Sequence, residues 1–194
     1  MAERARVAIL ISGRGSNMIA LAEAADRADC PYEVVLVAAN DPDASGLARA
    51  RMMGIETWGM SHKGMNRAEF DALIDAELRR VRADYVALAG YMRLLSPEFV
   101  DRWAGRMVNI HPSLLPAYKG LDTHARAIAA GDVEAGCSVH VVTADLDDGP
   151  VIAQARVPIK PGDTPDSLAA RILVEEHRLY PQALAEFVRD ESRS

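Results

Sequence analysis

The feature that most constrains this chain is the unbroken apolar run Val7-Ala-Ile-Leu-Ile-Ser12, which ends directly on Gly13-Arg-Gly-Ser-Asn17. A short continuous apolar segment bounded by glycines reads as a buried strand, and the helical pattern from Met18 to Ala28 then makes the unit strand, tight turn, helix. The unit recurs. Tyr32 to Asn40 is a second apolar run closed by Asp41-Pro42-Asp43, and Ser45 to Met53 reads as a helix stopped by Gly54. Ile55 to Met60 is the third expected strand. Asn66 to Arg82 sets Phe70, Leu73, Ile74, Leu78 and Val81 at helical spacing and leads into Tyr85 to Gly90, a fourth buried strand. Alternating strands and helices predict an α/β fold with a mostly parallel sheet.

The last third changes character. A short helix from Pro97 to Trp103 precedes a fifth strand, Arg106 to His111, whose end carries polar residues that a plain core strand does not need. Pro112 to Gly120 is loop, and Asp122 to Ala130 is a helix closed by Gly131. Gly136 to Thr143 and Val151 to Ile159 are then two β-rich runs joined by Asp145-Leu-Asp-Asp-Gly-Pro150, which predicts an antiparallel pair added to the sheet. Thr164 to Val188 is a terminal helix started by Thr164-Pro165, with Pro181 as a point for a kink.

A chain of 194 residues, 49% hydrophobic and 26% charged, can bury a sizeable core, and with no repeat or linker it reads as one domain, 1-194. No stretch approaches the roughly 20 apolar residues of a membrane span, and the charged start, Met1 to Arg6, is unlike a signal peptide. The expectation is a cytoplasmic protein with no membrane partner. Cys30 and Cys137 lie in no CxxC pattern and read as free thiols. The formal net charge of −6 opposes a broad nucleic-acid surface while allowing a local basic pocket for one phosphate. His111, His124, His140 and His177 show neither HxxxH nor HExxH spacing, so no metal is expected, and His124 and His140 read as structural or cleft-lining.

Two clusters suggest chemistry. The glycine loop stands where a first strand meets its helix, the place where backbone N–H groups and the positive helix end hold an anion. It lacks the third glycine of a dinucleotide fingerprint and the GK[ST] of a Walker loop, so a single phosphate suits it better than a pyrophosphate. The same residues also read as a turn whose helix is capped by Ser16 or Asn17. Asn109 and His111, two apart on one strand, project from the same face at a strand end. On spacing alone His111 reads equally as a hydrogen-bonded structural residue, and the acids of the 145–150 loop as solvated turn residues.

Asn109-Ile-His-Pro-Ser-Leu-Leu-Pro116, followed by Tyr118, Gly120 and Thr123-His124, resembles the signature of folate-dependent formyltransferases, in particular the glycinamide ribonucleotide branch. Ile11 to Asn17, Ala89 to Pro97, Ser138-Val-His140 and Asp147-Asp-Gly-Pro-Val-Ile152 resemble the same branch in the same order, from Val7 to about Tyr180. The resemblance implies a single-domain, three-layer Rossmann-like fold with a glycine-loop half of about 1-105 and a catalytic, folate-binding half of about 106-194. It implies formyl transfer from 10-formyltetrahydrofolate, as cosubstrate, to the amine of phosphoribosylglycinamide in purine synthesis, in a monomer or homodimer. Asn109 and His111 as imidazolium would stabilise the tetrahedral oxyanion, with Asp147 favouring the protonated ring. His111 or a held water would carry the proton.

By the same resemblance Gly15, Ser16 and Asn17 contact the phosphate and Glu176 the ribose and glycinamide end. Folate contacts fall on Arg67, Met92, Arg93, Leu94, Leu95, Asn109, Thr143, Ala144, Asp145, Leu146 and Asp147, although Leu94 and Leu95 also suit a core. Leu173 stands where some members have a glutamine near the phosphate, and Arg14 is a substitute contact. The Asp-x-Gly-Pro pattern selects Asp147 over Asp148, and Leu115-Pro116 is a candidate cis bond. The alternatives are a formyltetrahydrofolate hydrolase, which uses the same triad on water and usually has a further amino-terminal domain, and a nucleotide-binding Rossmann-like module. A methionyl-tRNA formyltransferase would need a further carboxyl-terminal domain and a basic face.

Overall fold

Seven strands form one sheet in the order β3-β2-β1-β4-β5-β6-β7 in the computed structural model, which describes residues 4–191; the first three residues of the charged start lie outside them. β1 (Ala5–Ile11), β2 (Tyr32–Ala39), β3 (Thr57–Gly59), β4 (Tyr85–Leu88) and β5 (Met107–His111) are parallel, and β6 (Glu134–Val141) and β7 (Val151–Pro158) add antiparallel to β5. The helices are α1 (Ser16–Ala25), α2 (Ser45–Met52), α3 (Arg67–Arg80), α4 (Pro97–Arg102), α5 (Thr123–Ala130) and α6 (Pro165–Glu191). This is the α/β architecture, parallel with an antiparallel addition, that the sequence predicts.

The three layers follow from strand alternation. Val7, Ile9 and Ile11 of β1, Ala87 of β4 and Val108 and Ile110 of β5 enter a core covered by α1, α2, α5 and α6. Ala8, Leu10, Val86, Leu88 and Met107 enter the opposite core, covered by Phe70, Ile74 and Leu78 of α3 and by α4. A fully buried aliphatic side chain of this kind contributes about 1.5–3 kcal/mol. Tyr180 of α6 is fully buried, and its hydroxyl reaches the carbonyls of Leu88 at 2.9 Å and Val108 at 3.2 Å, which pins the helix beneath β4 and β5. α3 begins with a capping box: Asn66 accepts from the Glu69 N–H at 2.9 Å, and Glu69 accepts from the Asn66 N–H at 3.0 Å.

Three boundaries differ from expectation. α1 stops at Ala25 rather than Ala28, because the residues from Asp26 to Asp29 are exposed and offer no apolar face to bury. β3 is only Thr57–Gly59, since this edge strand finds partners only at Val37, Ala38 and Ala39. β6 starts at Glu134, two residues before Gly136, because Glu134 and Ala135 pair with Pro158 and Val157. α6 continues through Pro181 as one helix, and the Leu115-Pro116 bond is cis.

Candidate active site

The sheet order reverses beside β1: the chain first adds β2 and β3 on one side, then crosses to β4 on the other. Open α/β sheets bind ligands at such a switch point, where the loops leaving the two strands diverge. A cleft of about 270 Å³ lies there, walled by Ser12 to Asn17 after β1 and by Ala89, Gly90 and Met92 after β4. Gly15 takes φ +69 at the start of α1, a left-handed conformation that glycine adopts without strain. The first N–H groups of α1 have no partner within the helix and face this turn. Arg14 is exposed and is the one cationic side chain among the cleft-lining residues.

Asn17 anchors the base of the cleft. Its amide nitrogen donates to Glu176 Oε2 at 2.7 Å, while its own Oδ1 is buried with no hydrogen-bond partner among the described residues. Glu176, 7% exposed, has its pKa raised because burial disfavours the carboxylate more than the single Asn17 bond favours it.

The second cluster forms on β5. Because Val108 and Ile110 face the α1/α6 core, Asn109 and His111 share the other face, and antiparallel pairing sets His140 directly opposite Asn109. His140 Nδ1 stands 3.0 Å from the Val141 carbonyl oxygen, which can only accept. In that tautomer Nε2 accepts from Asn109 Nδ2 at 3.2 Å, so the Asn109 amide is oriented as a donor with a second N–H left for a ligand.

The connection from β6 to β7 folds back against β6. At Gly149 a Cβ would fall 1.7 Å from the Val141 carbonyl oxygen, so only glycine fits. This fold-back brings Asp147 to 3.3 Å from His111 Nδ1 and 3.6 Å from His140 Nε2, the second beyond hydrogen-bond distance. Asp147 also accepts from the Gly120 N–H at 3.0 Å. Burial pushes its pKa up, but contact with His140, the Gly120 bond and the field of both histidines outweigh it and hold the carboxyl below the usual range. His111 Nε2 lies 2.9 Å from the Tyr118 carbonyl. Both ring nitrogens of His111 therefore face acceptors.

Asn109, His111 and Asp147 thus meet, and Asn17 meets Glu176. Asp148 instead pairs with Lys119 at the surface. Met92 and Leu94 are exposed, Leu95 packs on the α3/α4 core, Arg93 lies over the Phe70 ring at 5.2 Å, and Arg67 is exposed at the start of α3. Thr143, Ala144, Asp145 and Leu146 run along the connection that ends at Asp147, with the Thr143 hydroxyl donating to the Asp145 carbonyl at 3.3 Å. His140, expected to be structural or cleft-lining, orients Asn109, and Tyr118 and Gly120 contribute backbone groups. Their signal was a strand register that no local pattern encodes. His124 is partly buried, and burial followed by the field of His111 lowers its pKa. Among the described residues there is no group of three or more His, Cys, Asp or Glu side chains able to hold a metal, and no helix is long and apolar enough to cross a membrane.

The fold is thus a seven-stranded α/β sheet with a glycine-loop cleft at its switch point and Asn109, His111 and Asp147 gathered at the end of β5; the chain matches the family model described as formyl transferase over residues 5–184 and belongs to that family. It is 46% identical over 182 residues to phosphoribosylglycinamide formyltransferase of Escherichia coli K12, covering 93% of this chain and 86% of that one. The solved phosphoribosylglycinamide formyltransferase of Brucella melitensis superposes with a TM-score of 0.92 at 49% identity, covering 96% of each chain. It is also 45% identical over 183 residues to the trifunctional purine biosynthetic protein adenosine-3 of Bos taurus, covering 94% of this chain. The chain spans 18% of that longer relative.

Proposed function

We propose that the protein transfers a formyl group from 10-formyltetrahydrofolate to the primary amine of phosphoribosylglycinamide, a step of purine synthesis. The observation that carries the reading is the convergence of Asn109, His111 and ionised Asp147 beside a phosphate-sized glycine-loop cleft. The acceptor amine adds to the formyl carbon, giving a tetrahedral species with a negative oxygen. The free N–H of Asn109 and the imidazolium of His111 are the donors to that oxygen, and such preorganised donors are usually the largest catalytic contribution. For His111 to serve it, Nε2 exchanges the Tyr118 carbonyl for the oxyanion, while Asp147 keeps hold of Nδ1. Collapse breaks the bond to the folate nitrogen, which takes the proton that the amine releases.

Gly15, Ser16 and Asn17 hold the acceptor phosphate at the positive end of α1, with Glu176 and the unpartnered Asn17 oxygen facing the hydroxyl and amide donors beyond it. Folate lies along Arg67, the Met92 to Leu95 segment, Asn109 and the Thr143 to Asp147 connection.

The test is to incubate the protein with 10-formyltetrahydrofolate, with and without phosphoribosylglycinamide, and to follow deformylated folate beside an Asp147→Asn control. Turnover that requires the acceptor and is lost in the variant supports the transferase. Acceptor-independent turnover means the hydrolase, and no turnover means a binding module.

A further inference from the structure

One hydroxyl joins the two walls of the switch-point cleft. Ser12 follows β1, and its backbone N–H donates to the Gly90 carbonyl at 3.1 Å. Its Oγ donates to Asn40 Oδ1 at 2.7 Å and accepts from the Met92 N–H at 2.8 Å. Asn40, 7% exposed, follows β2, and its carbonyl oxygen stands 2.9 Å from His62 Nδ1, so the partner that orients the serine is itself held. The segments leaving β1, β2 and β4 therefore meet on a single side chain. Asn40 Oδ1 dictates that the hydroxyl proton points away from Met92, and that leaves a lone pair for the Met92 N–H. Gly90, at φ +76, turns the chain sharply after β4, and Ser12 is the contact that holds Met92, just beyond the turn, against the glycine-loop wall, while Arg93 donates to the Asn66 carbonyl at 3.2 Å on the far side.

We propose that Ser12 is a positioning residue whose hydroxyl sets the place of the Met92 to Leu95 segment relative to the glycine loop, and with it the separation of the folate site from the acceptor phosphate site. This rests on the reading of Met92 to Leu95 as folate contacts. Reaction geometry is sensitive to such a spacing, since a misplacement of about 1 Å can cost about a hundredfold in rate.

Ser12→Ala and Ser12→Thr in the full chain test it with three readouts: amide hydrogen exchange at Met92, direct calorimetric binding of 10-formyltetrahydrofolate, and the Michaelis constant for phosphoribosylglycinamide. In Ser12→Ala, Met92 exchanges faster, folate binding weakens by roughly tenfold, about one hydrogen bond's worth, the melting temperature falls by a few degrees because Asn40 Oδ1 loses its donor, and the acceptor constant stays near wild type. Ser12→Thr, which keeps the hydroxyl, restores all three. Unchanged Met92 exchange overturns the proposal. So does an equal weakening of both ligands, which is what a merely structural serine gives. If the wild type binds folate but does not use the acceptor, the transferase reading fails while Met92 exchange still decides the role of Ser12.

Discussion

Asp147 and Glu176 are two carboxyl groups with nearly the same accessible surface, 9% and 7%, and they are driven in opposite directions. Asp147 has two histidines and a backbone N–H around it, and its pKa falls; Glu176 has one neutral amide, and its pKa rises. Exposed surface alone does not set the charge of a site: Glu176 is the more deeply enclosed of the two and has fewer donors aimed at it, and both differences push the same way. Asp147 is thereby held as a carboxylate beside His111, whereas Glu176 is biased toward its protonated form at the base of the cleft.

The largest expected effect lies at Asp147. Asp147→Asn removes the fixed charge and lowers turnover by roughly 10² to 10⁴-fold, while Asp148→Asn, in an exposed pair with Lys119, leaves it near wild type. The reverse ranking in steady-state assays would break the comparison. Next comes Glu176→Gln, which keeps one oxygen for Asn17 but puts an NH2 where the second carboxyl oxygen faces the donors of the acceptor: the acceptor Michaelis constant rises by roughly tenfold, with folate binding unaffected.

The same variant sharpens the comparison through stability. Because the folded pKa of Glu176 is raised, its contribution is fully present below the unfolded value of about 4.3 and is lost as pH rises through the folded value. Glu176→Gln therefore melts higher than wild type at pH 8, and the gap closes by about pH 4; a constant gap across that range would contradict the neutral-acid reading. Asp147 runs the other way. Its folded pKa is depressed, so its contribution is present above about 3.9 and is lost as pH falls through the lower folded value. Urea midpoints between about pH 5 and pH 2 should drop more steeply in wild type than in Asp147→Asn.

The smallest effect is at Arg14, exposed and screened by salt. Arg14→Ala raises the acceptor constant a few fold at low salt, and less at high salt. An unchanged constant at low salt would remove Arg14 from the phosphate site.

The parts legible in the sequence are those written locally. The apolar run of β1 and Gly13 to Asn17 predict a strand, turn and helix because strand burial and a left-handed glycine are short-range requirements, and Gly15 has that conformation. Asn109 and His111 share a face because strand side chains alternate. The run Ile55 to Met60 misled in length because the chain lies against β2 over only three residues, Thr57 to Gly59, and apolar character does not encode where that pairing starts and stops. The pairing of His140 with Asn109 was not legible because it depends on the β5–β6 register, and the bridging contacts of Ser12 are invisible until the loop after β4 packs beside it.

By itself, then, the sequence determined the alternation of elements, the antiparallel ending and the residue types able to hold a phosphate and an oxyanion, each encoded by periodicity or by a few consecutive residues. Only the tertiary structure decided which groups meet and in what charge state. The Asn17–Glu176 bond joins residues 159 positions apart, and the contrast between Glu176 and Asp147 arises from how deeply the packed chain encloses each and how many donors it turns toward it. A pKa is a property of that surrounding field, which exists only once the sheet has closed around it.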